Sequence, residues 1–226
     1  MNKKNMRSRR SDICVICGKK PVTGRDHLPP RCIFPIPRPI DLITVPACDT
    51  CNNNSSGLDE EFKVAIGIQA GHGEEGERLF YEQMSKTLSG NRKLKKTLAD
   101  KMQEVEIRTA EGQVLGTAMA VPLYKSYDIV INRIIRGLHW HHTGHILGDK
   151  VDIKINWHHN LTKQICEKTK DWTTGIVGGG QFIYRYTIFE PMTSIWVLEF
   201  FGQAWSSGIV KPKMEVEHAT SSSPVN

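Results

Sequence analysis

Two Cys-x-x-Cys pairs, Cys14/Cys17 and Cys48/Cys51, stand thirty residues apart (18 to 47) and enclose a proline-rich stretch. Pro29, Pro30, Pro35, Pro37 and Pro39 impose an extended, non-helical path on Arg25 to Pro39. Asp12 to Phe62 has few periodic apolar positions, so it cannot bury a sizeable core of its own and needs a staple. Each pair folds a short chain back so that two thiolates face one ion, and Gly18 suits the turn after the first pair. Together they predict a tetrahedral zinc site, whose apparent binding energy of about 10–16 kcal/mol can fold a segment with little apolar burial. A redox Cys-x-x-Cys or unpaired thiols are the alternatives. A redox pair belongs at a strand–helix junction of a βαβ unit, which two copies around a proline-rich loop do not resemble. Four thiolates close the shell, so this ion is expected to be structural.

The metal reading draws on compartment. Met1 to Ser11 is basic and polar with no apolar stretch behind it, and no run is long enough to span a bilayer. A cytoplasmic, reducing setting is therefore expected, where Cys14, Cys17, Cys32, Cys48, Cys51 and Cys166 stay unbridged. A net charge of +6 suggests an anionic partner without naming one. Residues 1–11 form a basic arm, readable either as a solvated tail or as a nucleic-acid contact.

Downstream, Ile40 to Val45 reads as a short strand. Asn52 to Ser56 offers helix-capping chemistry for a helix reaching about Ile66, and the four glycines of Gly67 to Gly76 suggest a hinge. Glu77 to Met102 reads as one or two amphipathic helices broken near Ser89–Asn91. Val105 to Thr109 and Val114 to Tyr124 read as a strand pair, and Tyr127 to His141 as a helix. Val151 to Asn156, Phe182 to Phe189 and Ile195 to Phe201 read as strands. Residues 12–66 thus carry a site with little core, 75–216 a core without an obvious site, and 217–226 a tail. The expected class is α+β.

Between the pairs lies Arg25-Asp26-His27-Leu28-Pro29-Pro30, and Asn52 follows Cys51 directly. An Asp–His pair alone means little; the order CxxC, Asp-His-x-x-Pro, strand, CxxC-Asn, helix means more. Over Cys14 to about Glu61 the chain resembles the HNH nuclease family, the zinc-bound branch of the ββα-metal (His-Me finger) superfamily. The resemblance implies a treble-clef-like ββα module. It further implies that Asp26 and Asn52 bind a catalytic divalent cation and that His27 is the general base. Mg²⁺ or Mn²⁺ suits oxygen ligands with open water positions, and a neutral imidazole can take a proton from water near neutral pH.

The implied activity is metal-dependent hydrolysis of phosphodiester bonds in DNA, with no membrane partner. The family's usual asparagine before the second pair is missing: Asp41-Leu42-Ile43-Thr44-Val45-Pro46-Ala47 leaves Asp41 or Thr44 for that role. Asp59 and Glu60 read as auxiliary ligands or as first-turn helix acids. Alternatives in other classes are a catalytically silent zinc-stabilised nucleic-acid-binding module, or an effector controlled by a ligand- or protein-binding C-terminal domain. His139, His141, His142, His145, His158 and His159 read as helix capping and packing. Arg133, Arg136 and these histidines are an alternative phosphate-contacting face. Gly178–Gly180 reads as a flexible turn, Cys32 and Cys166 as free thiols, and the aromatic strands as core, with a base-stacking platform as the alternative.

Overall fold

The computed structural model describes residues 10–52, 56–70, 74–109, 111–120, 124–158 and 163–213. Most of the basic arm, the whole tail and His159 lie outside these residues. The chain is a mixed α+β protein.

The cysteine-bearing segment builds a small hairpin. Strand β1 (Gly24–Leu28) pairs antiparallel with β2 (Ile43–Ala47), placing Asp26 opposite Val45 and His27 opposite Thr44. The second strand begins later than the apolar pattern suggests, because Asp41 leaves the ladder to accept the Gly178 N–H at 3.1 Å and Ile40 is fully exposed. A short helix, α1 (Asp49–Asn52), carries Cys51, and α2 (Ser56–Ala70) follows. The expected hinge therefore starts inside a helix. Gly67 lies in α2, where a Cβ would stand 3.3 Å from the Met84 sulfur, so the glycine admits a close neighbour.

Helices α3 (Glu74–Arg78), α4 (Ser85–Gly90) and α5 (Arg92–Lys101) follow, with a π-helical turn over Leu79–Met84. The expected break falls at Asn91, whose side chain caps α5 by accepting the Leu94 N–H at 2.9 Å. Strands β3 (Gln103–Arg108) and β4 (Val114–Ala120) form an outlying hairpin.

The long helix α6 (Tyr124–Thr143) organises the remainder. Tyr127, Val130, Ile131, Ile134, Ile135 and Leu138 recur at helical spacing and are buried. Beneath them lies an antiparallel sheet of β5 (Val151–His158), β6 (Thr173–Val177), β7 (Phe182–Glu190), β8 (Thr193–Phe200) and β9 (Ala204–Pro212), in the order β5-β9-β8-β7-β6. Helix α7 (Lys163–Thr169) links β5 to β6. Gly208 of β9 lets α6 approach, since a Cβ there would stand 2.2 Å from an Ile135 methyl. On its other side α6 meets β1, with Gly137 against Leu28.

One hydrophobic core runs through both stretches, joining Val15, Leu28, Phe34 and Val45 to Tyr127, Ile131, Phe182 and Phe200. Phe62 of α2 is its link, with ring centroids 5.1 Å from Tyr127 and 5.6 Å from Phe200. Among the described residues no helix is long and apolar enough to cross a membrane.

Candidate metal centre and active site

The two cysteine pairs converge. One sulfur from each of Cys14, Cys17, Cys48 and Cys51 lies within 4.8 Å of the others, and Cys17 Sγ and Cys48 Sγ are 3.9 Å apart. Bonds of about 2.3 Å in a tetrahedral zinc shell would place sulfurs roughly 3.8 Å apart. The cluster is therefore one that can hold a structural metal such as zinc. Backbone closes it: Gly18 N–H donates to the Cys14 carbonyl at 2.8 Å and Asn52 N–H to the Cys48 carbonyl at 3.0 Å. Gly18 sits at φ 67°, where a side chain would be strained and would also meet Gly148.

The sulfurs share hydrogen bonds that pull their acidities apart. A hydrogen bond from Cys51 holds the Cys14 thiol down to about 4, while the same contact and burial drive Cys51 upward. Four thiolates at this spacing need a positive charge between them.

Asp26, His27 and Asn52 come together beside this cluster. They line one cleft of about 300 Å³ with Arg31, Cys32, Asp59 and Glu60. Alternation along β1 buries Asp26 and Leu28 and leaves His27 half-exposed. Asn52 ends α1, and its amide nitrogen donates to the Arg25 carbonyl at 3.2 Å. That bond ties α1 to β1.

Burial pushes the Asp26 carboxyl up to about 6, opposed by Arg133 and reinforced by Asp59. Burial, then the charges of Arg31, Arg38 and Arg25, hold the His27 imidazole below its ordinary value, so it stays neutral to lower pH. All three arginines are exposed around the cleft. Arg25 is fixed by bonds to Thr44, 2.9 Å to Oγ1 and 2.7 Å to the carbonyl, and Arg38 by a 3.2 Å bond to the Arg31 carbonyl.

Both candidates for the strand asparagine are engaged elsewhere, although Thr44 stands opposite His27 in the hairpin. Asp41 is held by Gly178, and the Thr44 hydroxyl accepts from Arg25. Asp59 and Glu60 both face the cleft. Glu60 accepts from Asn91 at 2.7 Å, whereas Asp59 accepts from Arg133.

Arg133 is the residue that sequence reasoning misplaced. It and Asp26 each expose only 4% of their surface, so it cannot form an outer phosphate-contacting face. Its Nε stands 3.1 Å from Asp26 Oδ2, Nη2 donates to Asp59, and Nη1 donates to the Cys51 carbonyl at 3.5 Å. The Asp26 contact lacks hydrogen-bond geometry, leaving both Asp26 Oδ2 and Arg133 Nε without a hydrogen-bond partner among the described residues. A signal existed: Arg133 falls at helical spacing among Val130, Ile134 and Gly137, on the inward face of α6.

His139 and His142 are held by packing and hydrogen bonds, whereas His145 is exposed. His139 is fully buried between Ser194 Oγ at 3.2 Å and the Pro191 carbonyl at 2.8 Å, and His142 bonds the Tyr184 hydroxyl at 3.0 Å. His158 bonds Ser207 Oγ at 2.8 Å. Phe182, Tyr184, Tyr186, Trp196 and Phe200 are buried, which makes them core, not a base-stacking platform. Cys32 is a free thiol that burial pushes up to about 12, so it is inert. Nothing is described of the Cys166 side chain.

Compared with known proteins, the chain matches no family model, no curated protein and no solved structure.

Proposed function

We propose that the protein is a metal-dependent endonuclease of the HNH type that hydrolyses phosphodiester bonds in DNA, built on a zinc-stapled ββα frame. The observation that carries the reading is the convergence of Asp26, His27 and Asn52 from two elements into one cleft, beside the four sulfurs.

A carboxylate and an amide oxygen are the donor types that Mg²⁺ or Mn²⁺ prefers. Asp26 Oδ2 also lacks a hydrogen bond in a buried position, which is where a ligand oxygen belongs. When bound, the divalent ion supplies charge neutralisation and polarisation at the phosphoryl group. Asp26 and Asn52 would hold it.

His27 does the proton chemistry. Its depressed pKa keeps a ring nitrogen unprotonated near pH 7, ready to take the proton of an attacking water. Arg25, Arg31 and Arg38 supply both that field and positive charge where a phosphate backbone would lie. The cysteine cluster holds the frame, since Asn52 follows Cys51 directly and is bonded to Arg25.

A second reading is a zinc-stabilised module that binds nucleic acid without cutting it, favoured by the engagement of Asp41 with Gly178 and of the Thr44 hydroxyl with Arg25. Nicking of supercoiled plasmid by purified protein separates the two. Mg²⁺-dependent relaxation that EDTA abolishes supports the nuclease, and retained DNA binding with no nicking supports the silent module.

A further inference from the structure

We infer that Arg133 is an internal counter-cation of the candidate site. It neutralises the buried Asp26 carboxylate and yields it to a divalent ion while staying anchored on Asp59 and the Cys51 carbonyl. The inference rests on the cation-site reading above.

Asp26 is almost fully buried, and an ionised carboxylate there needs a positive partner. Arg133 is equally buried and supplies it. The three contacts of its guanidinium differ in kind. Nη2 makes a hydrogen bond to Asp59 and Nη1 one to the Cys51 carbonyl, whereas Nε faces Asp26 Oδ2 at 3.1 Å without hydrogen-bond geometry. A buried oxygen and a buried N–H this close, both still lacking a hydrogen bond, form the contact that costs least to exchange. An incoming ion would replace only that Coulomb contact, and the two anchoring bonds would keep the guanidinium satisfied.

Charge counting gives the direction. Within the Asp26–Arg133–Asp59 group, two ionised carboxylates and one guanidinium leave one net negative charge. Removing the guanidinium leaves two, so the site should bind a divalent cation more tightly. A residue that merely shapes the site would give the opposite sign, because its loss would loosen Asp26 and weaken binding. A unit positive charge beside a divalent-cation site opposes binding, so its removal is read as a gain of at least tenfold in affinity.

The test is Mn²⁺ binding, read by electron paramagnetic resonance on the full-length zinc-loaded protein, with zinc content and melting temperature as folding controls. Arg133→Met should tighten Mn²⁺ binding at least tenfold, and Arg133→Lys should stay near wild type. Asp59→Asn, which removes the anchor and throws Arg133 wholly onto Asp26, should weaken it several-fold and keeps the test alive if Arg133→Met fails to fold. Unchanged or weaker binding in Arg133→Met, or unchanged binding in Asp59→Asn, overturns the inference while the cation site stands. No Mn²⁺ binding in folded wild type overturns the inference together with the cation site.

Discussion

Replacing Gly137 by alanine tests how tightly α6 holds the strand that carries His27. Glycine inside a helix costs about 1 kcal/mol relative to alanine, so without tertiary contacts the substitution would stabilise the protein. Here a Cβ would stand 2.1 Å from one Leu28 methyl and 3.2 Å from the other and from Cγ. Ordinary carbon contacts are about 3.5–4.0 Å, so Leu28 must retreat by roughly 1.5 Å. Leu28 is fully buried, so a new rotamer meets neighbours and β1 itself must give. The 2.1 Å approach puts the overpacking cost at about 2–3 kcal/mol, and the helix gain of about 1 kcal/mol offsets part of that. The expected result is a net loss of about 1–2 kcal/mol, or roughly 2–8 °C in melting temperature for a chain of this size.

Because His27 immediately precedes Leu28, plasmid cleavage should fall further than stability does, by up to about 100-fold for a displacement near 1 Å. Gly57→Ala is the control: nothing lies within 4 Å of a Cβ there, and the variant should melt at or above wild type. Differential scanning calorimetry and cleavage rates on the same preparations give both numbers. An unchanged melting temperature and cleavage rate for Gly137→Ala would refute the packing argument.

Other perturbations address separate parts of the structure. Cys48→Ser should lose metal and become protease-sensitive across residues 12–62, seen by metal analysis and limited digestion; a stable metal-free variant would contradict the staple. In Arg31→Ala/Arg38→Ala the acidic limb of the cleavage–pH profile should move up toward 6.5, because two of the charges that depress the His27 pKa are gone. DNA affinity in that variant should also show a salt slope shallower by about 1.8; an unmoved profile with an unmoved slope would remove both arginines from the site. His139 is depressed by burial, so the unfolded chain takes up its proton first as pH falls. Stability is therefore fully present above about 6.5 and declines as pH drops through that value toward the folded pKa. Urea melts between pH 7.5 and 5.5 should show a shallower decline for His139→Gln than for wild type, and equal slopes would clear His139 of that role.

The parts of the fold legible in the sequence are those where local pattern and tertiary demand agree. The cysteine pairs, the capped break at Asn91 and the inward stripe of α6 belong here, as do the aromatic alternation of β7 and β8. Strands β6 and β9 were not legible, because close packing chose small residues over strand formers. Gly175 lies under the Tyr184 ring, where a Cβ would stand 2.0 Å from the nearest ring carbon, and Gly208 lies under Ile135. The glycine run read as a hinge begins inside α2 for the same reason at Gly67. At the candidate site, Asp26, His27 and Asn52 were legible because their order along the chain is tied to the cysteines. Arg133 was not, since its partner Asp59 lies 74 residues away and no local rule pairs them.

The central claim is that the half-buried imidazole on β1 activates water for cleavage in a cation-dependent site. Plasmid relaxation by zinc-loaded wild type and His27→Ala, each with Mg²⁺ and with EDTA, tests it most directly. The expected result is Mg²⁺-dependent nicking by wild type and a loss of about 10²–10⁴-fold in His27→Ala, with zinc content and melting temperature retained. Wild-type rates in folded His27→Ala, or nicking by wild type that survives EDTA while the zinc stays bound, would contradict it.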